Sequence, residues 1–310
     1  MGILQVLTYA SGLVFVVAFA VKLLRYWTMP MHVRWELYPI PHEGKPYGGS
    51  FFEEVDHWKK ERHKDHFAQY RFMIPEILLI RALHEDNRPL WYWSFPFHLG
   101  LYCAIGGLVF LAIGALLQIG GLDPGTSALA TFVQSITVIL AVVGFITGTI
   151  GAVGLIRMRA TDPKLVDFTV PIDYLNLFWL GAIFVTGFLV WLTDPGFVGS
   201  RNFLVSLITF RPSEPLSALQ IINLLLFIGF WVYFPFTYMT HMVSKYFMWD
   251  KVKWDDDPNV GDAGIDAKIK QYLAYPVTWS AAHVGAKGGK KTWADVATAN
   301  PWAEVEEKEK

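Results

Sequence analysis

The chain is predicted to be an all-α integral membrane protein with five transmembrane helices, the second to fifth packed as a four-helix bundle. Composition is the first ground. Of 310 residues, 53% are hydrophobic and only 17% are charged, which is too apolar for an ordinary soluble domain. The second is a set of five apolar runs, each long enough to cross a bilayer as a helix at about 1.5 Å rise per residue. The third is that basic residues alternate in density between successive loops. A net charge of −1 gives no reason to expect nucleic acid as a partner and leaves membrane lipids as the surroundings. The lone cysteine, Cys103, excludes an intrachain disulfide framework and a thiolate cluster, and reads as a small helix-packing residue.

Span one runs from about Ile3 to Leu24, within a first segment of residues 1–27. It lacks a basic stretch ahead of it and a small-residue cleavage site, and Lys22 and Arg25 follow its apolar run, so it reads as a retained anchor. Residues 28–90 are a polar loop. The prolines and glycines of Tyr38 to Gly49 forbid a long helix there. The stretch from Glu53 to Asp65 alternates in charge as a solvated or partner-lying helix does.

Residues 91–249 hold the other four spans, at about Trp91 to Ile119, Ala128 to Ile156, Phe168 to Leu192 and Leu216 to Phe247. The loop before span two is rich in Lys and Arg, the Gly120 to Thr126 link has none, and the next carries Arg157, Arg159 and Lys164. The link before span five has only Arg201 and Arg211, whereas Lys245, Lys251 and Lys253 follow span five. Positive charge marks the cytoplasmic side, so the N-terminus is expected outside and the C-terminus in the cytoplasm. Residues 250–310 form a polar tail, too poor in apolar side chains to build a core of its own. It is expected to bind a partner through scattered aromatics such as Trp254, Trp279, Trp293 and Trp302.

Only two histidines fall inside apolar spans: His98, early in span two, and His241, late in span five. An ionisable side chain in a membrane is a functional candidate by default. The two lie at matched depth, His98 about as far from Trp91 as His241 from Trp249, and in the cytoplasmic half of the membrane. Two imidazoles so placed suit the axial positions of one haem iron. Glycines are frequent in spans two and three. Gly144, Gly148, Gly151 and Gly154 share one side, leaving either room for a porphyrin or close helix contact.

His57, His63 and His66 do not share a helix face and read as solvated. His32, His42, His84 and His283 stand in loops without ligand spacing. Asp173 either caps span four, pairs with Arg157 or Arg159, or accepts protons near a quinone. Trp93 belongs to an interfacial aromatic belt that doubles as a quinone contact. Trp93, Asp173 and Arg157 are thus the candidate quinone residues.

Phe97-His98-Leu99-Gly100, the link Arg157-Met158-Arg159-Ala160-Thr161-Asp162-Pro163-Lys164, and Phe234-Pro235-Phe236-Thr237 ahead of His241 resemble the gamma (cytochrome b) subunit of respiratory nitrate reductase. That family includes the cytochrome b subunits of heterodisulfide-reductase-type complexes. The resemblance covers about Trp91 to Trp249 and implies a prokaryotic inner-membrane protein of anaerobic respiration. Nitrate reductase members hold two haems b with four histidines. His98 and His241 match the cytoplasmic pair, whereas the outer pair is replaced by Leu108 and a position near Asn223. The resemblance therefore implies one haem b, quinone as substrate, and a cytoplasmic iron-sulfur partner subunit like that of heterodisulfide reductase. The alternative is a non-redox anchor or scaffold subunit of such a complex. A solute transporter is disfavoured because no pair of broken helices or intramembrane charge pathway is visible.

Overall fold

A computed structural model describes residues 2–28, 56, 59–60, 67–243, 263–279, 284 and 291–299. Among these, five helices are long and apolar enough to cross a membrane, and the protein is an all-α integral membrane fold. The chain divides into two units, Met1–Lys22 with Ile74–Met242, and Leu23–Met73 with Val243–Lys310.

The spanning helices are α1 (Ile3–Thr28), α4 (Arg88–Ile119), α5 (Ala128–Thr161), α7 (Pro171–Thr193) and α9 (Ala218–Tyr233), with short helices α2 (Ala68–Leu79), α3 (Arg81–Asp86), α6 (Pro163–Val166) and α8 (Val198–Thr209) between them. Their starts are written in the sequence. Asn87, Ser127 and Ser217 each accept a backbone N–H in the first turn of α4, α5 and α9, satisfying donors that a helix start leaves without partners. Proline opens α6 and α7, where its missing N–H costs nothing.

α4 and α5 pack along much of their length, and glycine is the reason. A Cβ at Gly100 would meet the backbone of Gly148, one at Gly151 would meet Phe97, and one at Gly154 would fall into the ring of Trp93. At Gly148 it would come within 2.5 Å of Phe184 on α7. These glycines serve close helix contact rather than opening space for a porphyrin. Phe97, Leu155, Leu180 and Phe184 fill the centre between α4, α5 and α7. Cys103, half-buried and outside any disulfide, packs beside Gly144 as expected.

Three features depart from the sequence expectation. The fifth span is not one helix to Phe247. α9 ends at Tyr233, two 3-10 turns follow at Phe234–Phe236 and Tyr238–Thr240, and helical backbone resumes at residues 241–243. Pro235 supplies no N–H, and Thr237 takes an extended conformation whose hydroxyl accepts from Met239 N–H. The link between spans four and five also carries the unforeseen α8, whose start is held by Asp194 accepting from the N–H groups of Val198 and Gly199.

The third departure is span one, which does more than anchor. Buried Gln5 donates to Ser206 Oγ at 3.0 Å and to the Arg211 carbonyl at 2.7 Å, and Phe15 stacks on Trp231 at 5.3 Å. Lys22 Nζ donates to the carbonyls of Pro235 and Thr237, both at 2.9 Å. These are among the acceptors that the break in span five releases, and an ammonium satisfies two at once. Lys22→Met is therefore expected to cost about 2 kcal/mol, as hydrogen bonds to a charged group do, measured as a lowered unfolding midpoint in detergent.

In the second unit, helices Ala263–Leu273 and Trp293–Thr298 are joined by an isolated bridge between Pro276 and Thr292. Val277 and Val284 are buried there with Val296 against them, and Trp279 meets Trp293 edge-on at 6.2 Å. The tail thus has a small core, contrary to the expectation of none, because β-branched residues flank the bridge. The charged segment 53–65 and His32, His42, His57, His63, His66 and His283 lie outside the described residues or almost wholly so. The same holds for Trp254 and Trp302.

Candidate functional site

His98 lies three turns into α4, at the end of the bundle where α9 finishes. The break in span five turns the following segment so that His241 meets it. The two ring centroids are 6.3 Å apart and their planes cross at 74°. A metal–imidazole bond is about 2 Å and the ligating nitrogen lies about 1 Å from the ring centre, so two imidazoles on opposite sides of one metal have centroids about 6 Å apart. The spacing fits.

The tautomers fit as well. His98 Nδ1 stands 2.7 Å from the Ser94 carbonyl, one turn earlier, and His241 Nδ1 stands 3.3 Å from the Tyr238 carbonyl. A carbonyl only accepts, so each Nδ1 carries the proton and the ligating nitrogen of each ring would be Nε2. Metal-bound histidines are oriented by this kind of contact. Pro96 lies inside α4 between Ser94 and His98; having no N–H, it leaves the Tyr92 carbonyl, four residues earlier, without its helical donor. His98 is half-buried against Phe97, whose ring meets it edge-on at 5.8 Å, whereas His241 is more exposed.

Behind His241 runs a polar network that sequence reasoning did not assemble. Asp173, buried at the third position of α7, accepts from Val170 N–H at 3.0 Å and pairs with Arg159 at 3.4 Å. Its other oxygen accepts from the Tyr238 hydroxyl. Asn176 donates to that hydroxyl at 3.1 Å and accepts from the Tyr233 hydroxyl at 2.7 Å. The side chain of Tyr238 is therefore tied to α7 while its carbonyl holds the His241 ring. The signal was an asparagine and an aspartate one turn apart in an apolar span, with two tyrosines flanking the break.

Tyr238→Phe removes the donor to Asp173 and the acceptor for Asn176 and is expected to lower stability by about 1 kcal/mol, read from thermal unfolding in detergent.

Of the three residues predicted for a quinone, Asp173 pairs with Arg159 and not Arg157. Arg157 is exposed, and Trp93 is packed over Gly154. Neither Trp93 nor Arg157 bonds to the Asp173 network. Of the two positions expected in place of an outer histidine pair, one bonds between helices and the other faces outward. Asn223 donates to the Ile183 carbonyl at 3.0 Å and to Thr186 Oγ1 at 2.8 Å, and Leu108 is 40% exposed. His84, expected to be an ordinary polar residue, meets the Trp91 ring edge-on at 4.7 Å. Compared with models of known protein families, with curated proteins and with solved structures, the chain finds no match in any of the three.

Proposed function

We propose that the chain is a membrane cytochrome b subunit that carries one haem b and passes electrons between the quinone pool and a cytoplasmic iron-sulfur partner subunit. The observation that carries this reading is the His98 and His241 pair, two imidazoles 6.3 Å apart with Nδ1 of each directed to a backbone carbonyl. The donor set favours haem over a bare ion. A zinc takes about four protein or water ligands, whereas a porphyrin brings its own equatorial nitrogens and asks the protein only for axial ones.

His98 and His241 would hold the haem b, which would supply one-electron exchange when bound. The protein's part is to orient. Ser94 and Tyr238 fix the imidazole tautomers through their carbonyls. Asp173 and Asn176 hold Tyr238, and Lys22 closes the broken backbone that presents His241. Arg157, Arg159 and Lys164 sit at the histidine end, which supports reading that end as the cytoplasmic one; the family resemblance implies a prokaryotic inner membrane. A quinone site at the same end, using Asp173 or its neighbours, would exchange protons on that side.

The functional test uses the full chain in sealed vesicles. Added ubiquinol or menaquinol is expected to produce the reduced b-type absorbance within the mixing experiment. A haem that responds to dithionite and to neither quinol would overturn the quinone link. A protein that contains no haem would leave the scaffold reading.

A further inference from the structure

At the end of the bundle opposite the histidines, α8 buries a guanidinium. Arg201 is 7% exposed, yet the partners that it bonds are neutral. Nε donates to Gln118 Oε1 at 2.9 Å and Nη1 to Gln134 Oε1 at 3.4 Å. Among the described residues no carboxylate lies within ion-pair distance of it. A guanidinium has more donors than these two bonds use; Asp123 and Asp194 act on its charge through space, from beyond ion-pair distance, and accept none of its N–H groups.

Arg201 lines a cleft of about 720 Å³ between the α4–α5 link, α5 and α8. The cleft changes character along α5. Exposed Thr131 and Ser135, with Gln134, form its outer part, and Val138 and exposed Ile139 its inner part. From Thr131 to Ile139 the helix descends about 12 Å, the passage from the headgroup layer into hydrocarbon. Exposed Asp123 stands across the cleft from the guanidinium and contributes a negative charge at its mouth.

We propose that this cleft is a binding site for one phospholipid with a zwitterionic, ethanolamine-type headgroup. The phosphodiester lies on Arg201 and Gln134, the ammonium faces Asp123, and an acyl chain follows Val138 and Ile139. The phosphate supplies a directly bonded anion, which neither Asp123 nor Asp194 provides at ion-pair distance, in the planar pairing that arginine favours. The carboxylate at the mouth selects a headgroup bearing its own cation over a purely anionic one. The site is independent of the histidine pair.

The test is native mass spectrometry of the full chain released from vesicles containing equal phosphatidylethanolamine and phosphatidylglycerol. Retention of one phosphatidylethanolamine per chain, about tenfold over phosphatidylglycerol, is expected. Arg201→Gln should reduce that retention about tenfold. Because loss of Arg201 also removes bonds between helices, Asp123→Asn provides an arm that leaves the interior intact. It should keep one phospholipid bound while abolishing the preference for ethanolamine. Equal retention of both lipids by the wild-type chain, or an unchanged preference in Asp123→Asn, would overturn the proposal. Retention of phosphoethanolamine added to the chain in detergent, with no lipid retained from the vesicles, would do the same, and would assign the cleft to a soluble phosphate.

Discussion

His98→Ala and His241→Ala are each expected to remove more than nine-tenths of the haem that co-purifies with the chain. On the proposed reading each substitution deletes one of the two imidazoles that would hold the haem. The variants should keep their helices, because the packing of the bundle rests on Phe97, Leu155, Leu180, Phe184 and the glycine contacts. His98 Nδ1 bonds to a carbonyl of its own helix. Helical content in detergent, unchanged beside a lost haem signal, separates a ligand from a structural histidine. Full haem retention in either variant would remove that residue from the coordination sphere.

The second large effect is steric. Gly151→Ala is expected to destabilise the chain by about 3 kcal/mol, because a methyl group at this position would have to displace the backbone of Phe97. That residue precedes His98, so the same change should move the ligand and weaken haem retention. Gly181→Ala is the control. Its new Cβ would rest 3.6 Å from Ala152 Cβ, an ordinary contact, and replacing a helical glycine by alanine contributes about 0.5 to 1 kcal/mol of helix stability. Thermal unfolding of the two variants in one detergent should therefore shift in opposite directions.

How much of this was legible in the sequence follows the range of each interaction. The spans were, because crossing a bilayer imposes a continuous apolar run, and α5 and α7 begin and end near where composition changes. The histidine pair was also legible, since charge-capable side chains are rare in such runs. The break after Tyr233 was less so. Pro235 was in plain view, but a proline inside an apolar span can merely kink a helix, and what decides the outcome here is Lys22, far away in sequence, reaching the released carbonyls. The same lysine, read as a marker of sidedness, carries a packing role that no local pattern announces. α8 escaped notice because it is short, and its buried face combines Phe203, Ser206 and Leu207 with the charged Arg201. The Asp173 to Tyr238 contact joins residues 65 apart in the chain; it exists only once α7 and the turn after α9 are side by side.

The central claim is that two imidazoles at one end of the bundle hold a single haem. The most direct measurement is the reduced-minus-oxidised absorbance spectrum of the purified full chain, calibrated to give haem per polypeptide and repeated under carbon monoxide. One low-spin b-type haem per chain, unaltered by carbon monoxide because both axial positions are filled, is the predicted result. Two haems per chain, or a carbon monoxide-reactive iron, or no b-type signal at all, would contradict it.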